Sequence, residues 1–119
     1  MDKLEWKKPR GGRHFAHTCD VNITKIKSGD GFRYRLSFRD TGWRHFNGGK
    51  DFALVYAVDK NLLYFKKSDD GYSMLLCTGG GTALFFTVRD ELLEPFIGRH
   101  FLQYDDELKL WYVSQNDRM

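Results

Sequence analysis

The clearest pattern in the chain is FRYRLSF (32–38), where Phe32, Tyr34, Leu36 and Phe38 alternate without exception with Arg33, Arg35 and Ser37. Period two predicts a strand with one apolar and one basic face. Just before it, VNITKIK sets Val21 and Ile23, with Lys25 in phase, against Asn22, Thr24 and Ile26, and SGDG follows as a turn. RDTGWRHFNGGKD then interrupts the strands with a short helical segment, about two turns at most given Gly42 and the Gly48-Gly49 stop. DFALVYAV predicts a nearly continuous apolar strand, Asp59-Lys60-Asn61 a tight turn and LLYFKK its partner strand. Beyond the SDDG turn the order is YSMLLC strand, TGGG turn, TALFFTV strand, RDELLEPFIG short amphipathic helix, HFLQY strand, DDE turn and LKLWYVS strand.

That order recurs. SGDGFRYRLSFRD (28–40) lies over TGGGTALFFTVRD (78–90) with Gly29, Gly31, Arg39 and Asp40 above Gly79, Gly81, Arg89 and Asp90, fifty residues apart. The last hairpins align at an offset of 46, VDKNLLYF (58–65) over Tyr104 and DDELKLW. The chain therefore reads as two copies of a strand–turn–strand–helix–strand–turn–strand unit, 21–67 and 73–114. One such unit is too small to bury a core, whereas two interleaved units can. The expected fold is mainly β, a small pseudo-two-fold barrel of two interleaved swapped-hairpin units. Its inward side chains are expected to be Phe32, Tyr34, Leu36, Phe38, Leu54, Tyr56, Leu84, Phe86, Val88, Leu110 and Tyr112. Residues 21–119 form this single domain, and residues 1–20, with Lys7, Lys8, Arg10 and Arg13 around Pro9 and Gly11-Gly12, read as a basic, flexible arm.

Composition adds one strong asymmetry to a chain of ordinary single-domain length, 119 residues. Residues 1–67 hold 15 Lys/Arg against 7 Asp/Glu, and residues 68–119 hold 4 against 9, so a formal +3 conceals +8 followed by −5. A basic half of this strength points to a polyanion as partner. No apolar run approaches the length of a membrane span, and the polar, basic start MDKLEWKKPRGGRH is unlike a secretory signal. Cys19 and Cys77 are too few and too far apart for a disulfide framework or a four-thiolate metal site, so the expected compartment is the cytoplasm.

The first copy, ITKIKSGDGFRYRLSFRDTG, a helical spacer and then DFALVYAVDKNLLYFKK, resembles the swapped-hairpin DNA-binding unit of the AbrB family of prokaryotic regulators. Two copies in one chain is similar to the layout of the related MraZ group. The resemblance implies a transcriptional regulator that binds double-stranded DNA, with Lys25 and Lys27 before the turn and Arg39 at the strand end as contacts.

The residues themselves extend that set. Arg33 and Arg35 share one strand face and can reach phosphates or base edges; Arg44, Lys50, Lys66 and Lys67 also lie near strand ends or the helix, and Lys7, Lys8, Arg10 and Arg13 can enter an adjacent groove. The second copy has Cys77, Ala83 and Phe85 where the first has Lys27, Arg33 and Arg35, so one chain offers one basic site and a palindromic operator needs a homodimer. The alternative is a small phage or mobile-element protein that binds and inhibits a nucleic-acid-handling host or defence enzyme. It would use an apolar face of Phe85 and Trp111 and an acidic turn of Asp105, Asp106 and Glu107. Enzyme chemistry, metals and cofactors are not expected. His14, His17 and Cys19 lack a fourth ligand, TGGGT (78–82) lacks the Lys-Ser/Thr of a phosphate loop, Cys77 reads as core, and His45 and His100 have no nucleophilic partner in pattern.

Overall fold

The computed structural model describes residues 19–46, 51–76 and 83–117. The chain is mainly β, and among the described residues ten strands build two open antiparallel sheets of five rather than a closed barrel. In chain order they are β1 (Val21–Ser28), β2 (Gly31–Phe38), β3 (Ala53–Asp59), β4 (Leu62–Lys67), β5 (Tyr72–Ser73), β6 (Leu75–Leu76), β7 (Leu84–Val88), β8 (Gly98–His100), β9 (Gln103–Asp105) and β10 (Leu110–Ser114). One helical turn, α1 (Asp40–Trp43), follows β2, and a 3-10 segment, Glu91–Phe96, follows β7.

The first sheet runs β6-β7-β2-β1-β8 and the second β5-β3-β4-β10-β9. Exchanging β1 with β6, β2 with β7, β3 with β9 and β4 with β10 maps the four shared strands of each sheet onto themselves, which is the strand order that interleaved copies require. The register agrees. Leu36 and Phe86, fifty residues apart, are direct partners at the β2–β7 seam, so the pseudo-two-fold axis passes between them. At the β4–β10 seam the offset is 48 rather than 46. Asp59 pairs with Leu62 across a two-residue turn in the first copy, whereas Asp105 pairs with Leu110 across four residues in the second. Lys60 and Lys109 take the left-handed conformation in those turns, at φ 59° and 60°.

Between the sheets lies one core in which Ile23, Leu36, Phe38, Leu54, Leu63, Phe65, Leu84 and Val113 are all buried. Phe38 is its hub, packing edge-on against Phe46 and Phe65 and in parallel against Phe86. Trp43, 1% exposed, closes one end. Asp20 ties that end together: its carboxylate accepts from Thr41 Oγ1 at 2.8 Å and from the Leu102 amide at 2.9 Å, and its carbonyl accepts from the Arg39 amide at 2.9 Å. Gly42 is required there, because a Cβ would lie 2.4 Å from the Asp20 carbonyl oxygen. The amphipathic helix expected over RDELLEPFIG (89–98) is a shorter 3-10 segment, Glu91–Phe96, that buries Leu93 and Phe96, a three-residue spacing that suits its three residues per turn.

Four expectations are corrected. YSMLLC is two strands in different sheets, because the chain crosses the core at buried Met74, whose amide donates to the Phe52 carbonyl. HFLQY divides in the same way into β8 and β9 at Phe101-Leu102. Phe32 lies beyond the packed part of β2 and is 50% exposed. In the last strand Trp111 and Val113 face the core and Leu110 and Tyr112 do not, because β10 pairs Trp111 with Phe65 and Val113 with Leu63. Among the described residues no helix is long and apolar enough to cross a membrane.

Candidate nucleic-acid interface

The alternation that buries Val21, Ile23, Tyr34, Leu36, Phe86 and Val88 turns their neighbours outward on the first sheet. Pairing sets these in rows: Phe85, Ser37, Asn22 and Arg99; then Thr87, Arg35 and Thr24; then Arg33 and Ile26. The strands of this sheet carry Lys25, Lys27, Arg33, Arg35 and Arg99 and no Asp or Glu. Those of the second sheet carry Lys66 and Lys67 with Asp59 and Asp105. Interleaving has thus turned a charge difference between chain halves into one between sheets. Arg99 belongs to the acidic half by sequence, yet β8 pairs with β1 and sets it beside Asn22.

Arg33 and Arg35 stand about 7 Å apart along β2, the two-residue strand repeat. Arg33 is exposed. Arg35 is half-buried, its guanidinium carbon 4.4 Å from the centre of the Phe85 ring and its Nε enclosed without a hydrogen-bond partner. A stacked guanidinium is held in one orientation and is less well hydrated than a free ammonium, which favours contact with phosphate.

Of the other expected contacts, Lys25, Lys27, Lys66 and Lys67 do not join this face. Lys25 and Lys27 pair with Tyr34 and Phe32, on the opposite side of the β1–β2 hairpin from Arg33 and Arg35. Lys25 sits 3.0 Å from the Glu94 carboxylate and 4.5 Å from the Phe32 ring centre. Glu94 also accepts from the Tyr34 hydroxyl, and this bond pushes the buried Tyr34 phenol up to about 12. The same bond, with Lys25 beside it, holds Glu94 below the usual carboxylate range. These groups line a cavity of about 390 Å³ with Arg89, Asp90 and Glu91, where they clamp the hairpin to the 3-10 segment. Arg39 precedes α1, and Arg44 pairs with Asp40 at 3.6 Å. Lys66 and Lys67 belong to the second sheet. Lys7, Lys8, Arg10, Arg13, His14, His17, Lys50, Cys77 and TGGGT lie outside the described residues.

The expected protein-binding patch is not one surface. Phe85 is on the outward face of the first sheet, while Trp111 is in the second, packed on the core and stacked against His45 at 4.0 Å. Asp105 serves its own turn, accepting from the amides of Glu107 and Leu108 at 2.9 and 3.0 Å; Asp106 and Glu107 are exposed. Cys19 is a free, buried thiol whose pKa burial raises. Among the described residues no three His, Cys, Asp or Glu side chains gather as a metal site. Compared with protein-family models, curated proteins and solved structures, the chain matches none.

Arg99 is the cation of this face that sequence reasoning missed. Its only signal is the β1–β8 pairing, which joins residues far apart in the chain.

Proposed function

We propose that this protein is a non-catalytic DNA-binding module, of the regulator type implied by its resemblance to AbrB and MraZ proteins, and that it holds a duplex against the outward face of its first sheet. One observation carries the reading: an outward face with Arg33, Arg35 and Arg99 among Asn22, Thr24, Ser37 and Thr87, on a sheet whose strands contain no acidic residue. Three cations among short hydrogen-bonding side chains suit a phosphate backbone, and the absence of carboxylates removes local repulsion. Lys25 is a clamp to Glu94 in this reading rather than a DNA contact.

The test is fluorescence anisotropy of a labelled duplex titrated with the full chain over a series of salt concentrations. Arg33→Ala and Arg99→Ala each reduce the slope of log affinity against log salt by about 0.9. Lys25→Ala leaves the slope unchanged. Absence of binding to any duplex at about 50 mM salt, or unchanged slopes in both arginine variants, overturns the proposal.

A further inference from the structure

The second sheet has an incompletely covered edge. β5 pairs with β3 only at Ala53 and Leu54, so from Val55 to Asp59 β3 has no strand beside it on that side among the described residues. Alternation settles which backbone groups face that way. The Phe52 carbonyl accepts from Met74, on the β5 side, and the Ala53 carbonyl accepts from Ser68, on the β4 side. The even-numbered residues therefore turn their amides and carbonyls toward the open lane. At Tyr56 and Val58 these groups have no backbone partner on that side among the described residues.

A groove of about 620 Å³ runs along this stretch, with Tyr56 and Val58 on one side and Tyr72 and Leu92 among its walls. Among the described residues its lining includes Asp70 and Asp90 and no Lys or Arg. Tyr72 and Leu92 are 43% and 62% exposed, so the walls offer apolar surface. The groove begins where the chain joins β5 at Gly71, which lies so close to β3 that a Cβ would come 2.3 Å from the Leu54 carbonyl oxygen. Beyond Gly71 the lane that β5 occupies holds no strand among the described residues.

Unpaired strand edges recruit strands, and the acids choose which. We propose that the β3 edge is a docking site for an extended, cationic peptide segment of a partner protein, which adds to the second sheet as a strand in the lane that β5 begins. Main-chain bonds to Tyr56 and Val58 hold the segment, and Lys or Arg side chains on it meet Asp70 and Asp90. This site shares no residue with the arginine face, so either proposal can fail alone.

The probe is a fluorescent peptide of about eight residues alternating valine and lysine, titrated with the full chain at low salt. Binding is expected, with at least about a tenfold loss in Asp70→Lys, an exposed position whose replacement leaves the fold intact. N-methylation of alternate peptide residues abolishes binding in one phase and spares it in the other, because only every second amide of an added strand points at β3. Duplex binding is unchanged in Asp70→Lys. Three results overturn the proposal: no peptide binding, equal binding when glutamate replaces lysine, or equal loss from N-methylation in both phases.

Discussion

Asp90 joins the two structural features that shape the groove, and its removal has a calculable effect. Its carboxylate caps the 3-10 segment by accepting from the Leu92 amide at 3.0 Å, and it accepts from the Tyr56 hydroxyl at 2.6 Å. Loss of a cap costs about 1 kcal/mol. A hydroxyl–carboxylate bond contributes about 1.5–3 kcal/mol when dry, and about 1 kcal/mol where water can replace it, as beside this open groove. Asp90→Ala is therefore expected to lower stability by about 2 kcal/mol and Tyr56→Phe by about 1 kcal/mol. The double variant loses about 2 kcal/mol rather than 3, because the shared bond is broken once. Urea unfolding followed by tryptophan fluorescence reads this directly: at a slope near 1.5 kcal/mol per molar, Asp90→Ala moves the midpoint down by about 1.3 M. Single losses that add to within about 0.3 kcal/mol in the double variant would refute the pairing of Tyr56 with Asp90 as a stabilising contact.

Further outcomes follow from the same geometry. Because the Tyr34 phenol is raised to about 12 in the fold against an ordinary value of 10, the folded state binds its proton more tightly. Its contribution is complete below pH 10 and is lost as pH rises from there toward 12, so thermal midpoints should fall across that window by less in Tyr34→Phe than in the parent. Gly42→Ala forces a Cβ to 2.4 Å from the Asp20 carbonyl oxygen, and a loss of about 3 kcal/mol is expected; a urea midpoint within error of the parent counts against the close approach. Burial raises the Cys19 thiol and shields it, so in a Cys77→Ser variant thiol labelling should be slow at pH 8 and accelerate on unfolding. Fast native-state labelling counts against the buried position.

What could be read from the chain was local period. FRYRLSF is legible because every inward position is apolar and every outward one polar, and the structure leaves only Phe32 outside the packing. YSMLLC and HFLQY carry no glycine or proline at which to break, and a run of good strand formers looks the same whether it stays in one sheet or crosses to the next. The phase of LKLWYVS is not fixed by its pattern because each alternating set is largely apolar, Leu110 and Tyr112 in one and Trp111 and Val113 in the other; the length of the preceding turn and the facing residues Leu63 and Phe65 decide it. The arginine face was half legible. Arg33 and Arg35 share a strand, but Arg99 arrives through pairing, and Lys25 is withdrawn by Glu94, a residue 69 positions away. Charge counted along the sequence gives the right sign for the first copy and the wrong boundary, since the boundary lies between sheets.

Why only one copy keeps its arginine follows from the axis between Leu36 and Phe86. Arg35 and Phe85 are equivalent positions on its two sides, and in the structure they touch, with the guanidinium 4.4 Å from the ring centre. Had both copies retained arginine, two cations about 5 Å apart would repel by about 1–3 kcal/mol, taking effective dielectric constants of about 80 and 20. Phenylalanine in one copy replaces that repulsion with a cation–π contact of about 0.5–2 kcal/mol. Phe85→Arg is therefore expected to lower stability by about 2–3 kcal/mol at low salt, with part of the loss recovered near 1 M salt as the repulsion is screened. Phe85→Tyr, which keeps the ring, should stay within about 0.5 kcal/mol of the parent. The decisive variant exchanges the pair, Arg35→Phe with Phe85→Arg. Pseudo-symmetry puts the ring and the cation back in contact with their copies reversed, so most of the stability lost in Phe85→Arg should return in urea unfolding. An exchanged variant no more stable than Phe85→Arg would show that the contact does not depend on the axis, and that the asymmetry of the two copies has another cause.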